Sequence, residues 1–155
     1  TRQMLINMEK KTRLDPEDYI SDEEIRRHIR IFEEEGVVKI ISEKQLVKAK
    51  EKYGGAIGPE EGQYATSKIA ALKAIKSSNG SPRELEKRLG LAEGELGEKP
   101  ALIVPNSIEF LKYPSGKELG ANEKWGPGAF TSGGLPEVVV NQFAPGEYTV
   151  IENIF

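Results

Sequence analysis

The run A-L-I-V-P-N-S-I-E-F-L at residues 101–111 divides the chain in two. Before it, apolar residues recur mostly at helical spacing; from it onward they come in short β-type runs. Residues 101–104, 108–111, 138–140 and 148–154 read as strands, and Ala144-Pro145-Gly146 as a turn that predicts a hairpin of the last two. Helices first and a small antiparallel sheet after them make an α+β fold.

Toward the N-terminus the helix signals are explicit. Ser21 with Glu24 forms a capping-box pattern, Ile25, Ile29 and Phe32 share a stripe, and Gly36 stops the helix. V-V-K-I-I (Val37–Ile41) is a short buried strand or the apolar lead into the next helix. Ser42 with Gln45 caps that next helix, which ends at Gly54-Gly55. Tyr64, Ile69, Leu72 and Ile75 mark another, ending at Asn79-Gly80. Ser81-Pro82 with Glu84 opens the best-signalled one, whose stripe is Leu85 and Leu89 before Gly90. The segment G-G-A-I-G-P-E-E-G at residues 54–62 is the one plausible internal joint. It separates a helical N-terminal segment, residues 1–53, from residues 54–155.

Composition narrows the chemistry. A length of 155 residues suits one domain, or a small helical segment joined to a compact one. No apolar run approaches the roughly 18 residues that span a bilayer. There is no cysteine, hence no disulfide, thiolate metal site or cysteine nucleophile. One histidine, His28, excludes a His-pair zinc site and most Ser-His arrangements, and no metal or cofactor is expected. Catalysis would rest on Glu, Lys, Arg, Tyr, Thr or Ser. The net charge of −3 arises in residues 100–155, where Lys112, Lys117 and Lys124 face six carboxylates. That region supplies little of the basic field that phosphate-driven binding wants.

Function is expected in the tract Y-P-S-G-K-E-L-G-A-N-E-K-W-G-P-G-A-F-T-S-G-G-L-P-E, residues 113–137. Ordinary connections run roughly four to six residues, and a far longer one is usually disordered or built for a task. The only tryptophan, Trp125, argues for order. Glu118 and Glu137 bracket the tract, and without a free histidine a carboxylate is the natural general base; either is otherwise a solvated surface group. Thr131 and Ser132 suit a phosphate or hydroxyl, or else satisfy local backbone. Trp125 suits stacking on a base or nicotinamide ring, or plugs the loop onto the core. Asn122 reads an amide or ribose hydroxyl, or caps a turn. Lys124 is a local cation for developing phosphorane charge. Upstream, Tyr64, Thr66 and Lys68 can point at the same cleft, or serve as core aromatic and helix cap.

The blocks L-E-K-R-L-G-L (residues 85–91), P-S-G-K-E-L-G-A-N-E-K-W-G-P-G (114–128) and T-S-G-G-L-P-E-V-V (131–139) resemble the variable C-terminal toxin domains of bacterial polymorphic toxins, nearest the contact-dependent growth inhibition effectors. The resemblance covers roughly residues 53–155. It implies a fold of the barnase, colicin and EndoU type and a toxin secreted as part of a larger effector. Such a toxin acts in the cytoplasm of the target bacterium and is neutralised by a cognate immunity protein, with residues 1–53 as a delivery segment. It implies a metal-independent ribonuclease acting on tRNA, with a translation factor as a further partner of such toxins. Glu137 or Glu118 would then be the base, Lys68 or Lys124 the cation, and Thr131 the phosphate contact, while Trp125, Asn122, Lys124, Ser132 and Tyr64 hold substrate. The near-absence of histidine departs from EndoU-like sites. A second toxin class, the NAD-consuming ADP-ribosyltransferases and glycohydrolases, pairs a glycine-rich, aromatic-lined cleft with a glutamate on a late strand. Leu135-Pro136-Glu137 suits that role, although no early-strand arginine is evident to hold the cofactor's phosphate. A non-enzymatic binding module is the third alternative.

Overall fold

The computed structural model describes residues 2–155. Five helices, α1 (Arg2–Asn7), α2 (Asp22–Glu35), α3 (Glu43–Lys52), α4 (Lys68–Ser77) and α5 (Pro82–Leu89), accompany six strands. These are β1 (Val37–Ile41), β2 (Gln63–Ser67), β3 (Ala101–Pro105), β4 (Leu111–Lys112), β5 (Glu137–Val140) and β6 (Tyr148–Ile151). The strands form one sheet of order β4-β5-β2-β1-β3-β6, antiparallel at every pairing. The fold is α+β, as expected, but the two central strands come from the first half of the chain. β1, from residues 1–53, lies between β2 and β3 of the remainder. Among the described residues no helix is long and apolar enough to cross a membrane.

The helix ends form as their residues dictate. Ser21, Ser42, Ser67 and Ser81 each accept a hydrogen bond from the backbone N–H three residues on. Gly90 closes α5 in the left-handed conformation, φ 71°. The expectation of a helix through Tyr64 fails. Gln63–Ser67 is a strand, and the helix starts only after Ser67 caps it. Consequently Ile69 and Leu72 are exposed, and Ala71 and Ala74 face the core.

Alternation along β1 serves two cores, one on each face of the sheet. Val37 and Ile41 join Phe32, Leu46, Ala65, Ile103, Val138, Val140 and Phe143. Val38 and Ile40 join Leu102, Ala71, Ala74, Leu85, Leu96 and Leu135.

The predicted hairpin of the last two strands does not form. β5 pairs with β2 and β4, which occupy both of its edges, so β6 pairs with β3 at the opposite end. The Ala144-Pro145-Gly146 turn is real, with Glu147 N–H bonding Ala144 O at 3.0 Å. It delivers the chain from the Ile57–Phe143 bridge to the free edge of β3. The strand expected at residues 108–111 is reduced to Leu111–Lys112, and the last strand stops at Ile151.

One irregularity positions the site. β1 meets β2 only through Val37 opposite Ser67 and Val38 opposite Thr66. From Lys39 onward its partners are on β3, with Lys39 opposite Ile103 and Ile41 opposite Ala101. The ladder between β1 and β2 is therefore open beyond Val38, where the charged residue stands in an otherwise apolar strand.

Candidate functional site

A cleft of about 210 Å³ occupies this opening. Lys39, Ile40 and Ile41 line it from β1 and Gln63, Tyr64, Ala65 and Thr66 from β2; Glu137 is contributed by β5. Leu89, Gly90 and Leu91 close it from the end of α5, and Gly120, Ala121, Asn122, Lys124 and Trp125 from the long loop. The loop thus forms one wall of the cleft.

Glu137 sits on the first residue of β5, held through its backbone from three sides. Its N–H bonds Ala129 O at 2.8 Å, and its carbonyl accepts from His28 Nε2 at 2.7 Å. The preceding carbonyl, Pro136 O, accepts from Thr66 Oγ1 at 2.7 Å. The carboxyl accepts no hydrogen bond from any described residue, so nothing offsets the loss of water. Burial, reinforced by the negative charge of Glu118, pushes its pKa up to about 7.

Lys39 is the other unusual group. Its ammonium donates to Tyr64 O at 2.9 Å, bridging the opened ladder, and no salt bridge joins it to a described carboxylate. Burial lowers its pKa to about 8, against a smaller opposing pull from Glu95 at the rim. Thr66 pairs with Glu137 on one side and Val38 on the other. The backbones of Glu137 and of Val38, the residue before Lys39, thus stand two strands apart, roughly 10 Å at ordinary strand spacing, and Lys39 reaches the cleft through the opened ladder, at Tyr64 O. Gln63 adds a buried amide whose Oε1 has no partner, while its Nε2 donates to Ile57 O and Asn141 O.

The other anticipated residues divide clearly. Glu118 is committed elsewhere: it accepts from Tyr64 OH at 2.6 Å, Ser115 Oγ at 2.6 Å, Ser115 N at 3.1 Å and Gly116 N at 3.0 Å. Burial alone would raise its pKa, but these donors outweigh it and hold the carboxyl below its usual range. It is a latch that ties Tyr64 to the loop. Tyr64 lines the cleft with its hydroxyl spent on that latch and held un-ionised by burial and by Glu118.

Thr131 lines the cleft too, but its hydroxyl donates to Arg88 O and accepts from Leu135 N. Asn122 spans Gly90 O and Lys124 N, each at 2.9 Å, and Lys124 Nζ bonds Leu91 O at 2.7 Å. These three dock the loop on the end of α5, where Gly133 is pressed so closely against Lys87 and Arg88 that no side chain fits. Ser132 is exposed at the margin. Trp125, 7% exposed, lines the cleft while packing on Gly116 and under Arg13. The indole plugs the loop onto the body of the protein and also presents a surface to the cleft. Lys68 is exposed and outside the cleft, its backbone N–H bonded to Gly36 O.

Lys39, Gln63 and His28 had not been anticipated as site residues. A lone lysine inside V-V-K-I-I was the available signal, because a charge in a buried strand needs a reason. His28 is 7% exposed, its ring packed edge-on against Phe32, Tyr113 and Phe130. Burial lowers its pKa, opposed by the bond to Glu137 O. Among the described residues no cluster of three His, Cys, Asp or Glu side chains is arranged to hold a metal ion. Comparison of the sequence with protein-family models gives no match, and comparison with curated proteins gives none either.

Proposed function

We propose that the cleft binds a dinucleotide of the NAD type and cleaves its N-glycosidic bond, as the catalytic module of a bacterial toxin. The observation that carries this reading is the pairing, in one ring-sized cleft, of an unpartnered carboxyl at the start of β5 with a buried ammonium on β1. The sequence offered no early-strand arginine for the cofactor's phosphates; Lys39 supplies a cation on an early strand instead. Its remaining N–H donors suit a pyrophosphate. Bound in this cleft, the nicotinamide ribose would stand beside Glu137, with Tyr64 and Trp125 as ring surfaces.

Glycosidic cleavage breaks the bond between C1′ and the ring nitrogen, and the electron pair leaves with the neutral nicotinamide. Positive charge develops at C1′, and a carboxylate beside it stabilises that charge. The cationic substrate itself drives Glu137 to ionise. Water, or a hydroxyl of an acceptor, then forms the new bond at C1′ and loses a proton. A carboxylate whose pKa lies near 7 is matched to accept it. Delivery within a larger effector, action in the target cytoplasm and neutralisation by an immunity protein belong to the same proposal.

A ribonuclease is the second reading, favoured by one observation: the same pKa near 7 suits Glu137 as base for a ribose 2′-hydroxyl. The cations of this region give it little support. Lys124 is bonded to Leu91 O, Lys117 is paired with Asp15 at 2.8 Å, Lys112 lies over Phe110, and Lys68 is outside the cleft. Incubation of the purified chain with NAD and, separately, with tRNA decides between them. Release of nicotinamide with intact RNA, abolished in Glu137→Gln, is expected. Cut RNA with untouched NAD would transfer the proposal to the nuclease. If both substrates survive and the chain does not arrest growing cells, a binding module remains.

A further inference from the structure

We infer that the N-terminal segment, residues 2–13, belongs to the ligand site, with Arg13 as a positioning residue that holds Trp125 and its loop as the wall of the cleft. The guanidinium carbon of Arg13 lies 4.4 Å from the centre of the Trp125 ring. Its N–H groups reach both chain segments at once, bonding Gly116 O at 2.8 Å, Leu5 O at 3.2 Å and Ile6 O at 3.4 Å. Two further cations grip the same loop. Lys10 Nζ donates to Leu119 O and Ala121 O, each at 3.0 Å, and Arg2 Nη1 donates to Pro127 O at 2.7 Å. Leu5, 1% exposed, anchors the segment.

The loop has no strand or helix between residues 113 and 136 to hold it open or shut. It is attached to the end of α5 through Asn122, Lys124 and Thr131, and to β2 through the latch between Glu118 and Tyr64. This segment adds a further attachment, satisfying four loop carbonyls with three cationic side chains. Trp125 and Ala121 both line the cleft, so the segment acts on the ligand through them. Without it those carbonyls turn to water, the loop samples open conformations, and binding must order it again. The loss therefore falls on affinity, while Glu137 and Lys39, on strands, keep their places.

Trp125 is the only tryptophan, so its emission reports the wall directly in the full chain. The variants are Arg13→Ala, Arg13→Lys and, as a control, Lys73→Ala, an exposed residue of α4 outside the cleft. In Arg13→Ala the emission shifts to the red and acrylamide quenching rises about twofold or more, with partial return in Arg13→Lys and no change in Lys73→Ala. The KM for NAD rises about tenfold, with kcat within about twofold, the signature of lost preorganisation. The KM arm rests on the NAD reading, and the quenching arm does not. A folded Arg13→Ala variant whose indole is as shielded as in the wild type overturns the inference, as does an exposed indole with unchanged KM. If the wild type neither binds nor cleaves NAD, the functional reading falls and quenching alone decides the inference. If Arg13→Ala does not fold, Lys10→Ala carries the test: it keeps the cation over the ring and must still raise quenching and KM.

Discussion

Glu137→Gln should make the protein more stable at neutral and alkaline pH, and should make no difference in acid. The native carboxyl titrates near 7 where an ordinary one titrates at 4.5. Below 4.5 the group is neutral in both folded and unfolded chains, and Gln matches it in shape and charge. Between 4.5 and 7 the folded chain keeps a proton that the unfolded chain has lost. Wild-type stability then falls as pH rises, by about 1.4 kcal/mol per unit relative to the variant. Above 7 both states are ionised and the gap levels off. The full shift corresponds to a gap of about 3 kcal/mol. Because the cleft is open to water, which screens the charge, about 1–3 kcal/mol is expected. Urea unfolding of both proteins at pH 4.5, 6, 7 and 8 measures it, and working no higher than 8 keeps most of the Lys39 titration out of the comparison. The reasoning is refuted if the variant is no more stable than the wild type at pH 8, or if the gap is the same at pH 4.5. A stabilising change that removes activity is also what a group strained for catalysis predicts.

Three further outcomes follow from the same geometry. Glu118→Ala leaves the Tyr64 hydroxyl, the Ser115 hydroxyl and the Ser115 and Gly116 amides without their acceptor. It should cost about 2–4 kcal/mol in urea unfolding. With Glu118 intact, its lowered pKa contributes stability above the ordinary carboxylate range that is lost as pH falls through the folded value. Gly116→Ala must fit a methyl 2.6 Å from the Trp125 ring at φ 87°; about 1–3 kcal/mol of destabilisation and a shifted indole emission are expected. Lys39→Met should leave the fold as stable or more so, since burying an ammonium is costly, yet lower kcat/KM for NAD by about a hundredfold or more. Thermal melting and nicotinamide release read the two halves, and undiminished turnover would remove Lys39 from the site.

Much of the local structure was legible because its causes lie within a few residues of each other. A serine whose hydroxyl meets the amide three positions on is written directly in the chain at Ser21, Ser42 and Ser81, as are the stops at Gly36 and Gly90. The same locality explains the error at Tyr64. Ile69 and Leu72 have helical spacing with it, but Gln63–Ser67 is drawn into the sheet by β1 and β5, which no local pattern announces. Glu137 was legible as a carboxyl opening an apolar strand beside an unusual loop. Glu118 looked equivalent in sequence, and only its four donors separate a latch from a candidate base.

Composition and periodicity thus settled the α+β class, the absence of cysteine chemistry, and the unusual makeup of residues 113–137. Folding settled the rest, because it turns on contacts between residues distant in the chain. The opening between β1 and β2, the meeting of Lys39 with Tyr64, and the seating of Arg13 on Trp125 are of that kind. Such contacts leave no periodic trace: a lysine in a strand or an arginine before a helix reads as an ordinary charge until the chain closes around it.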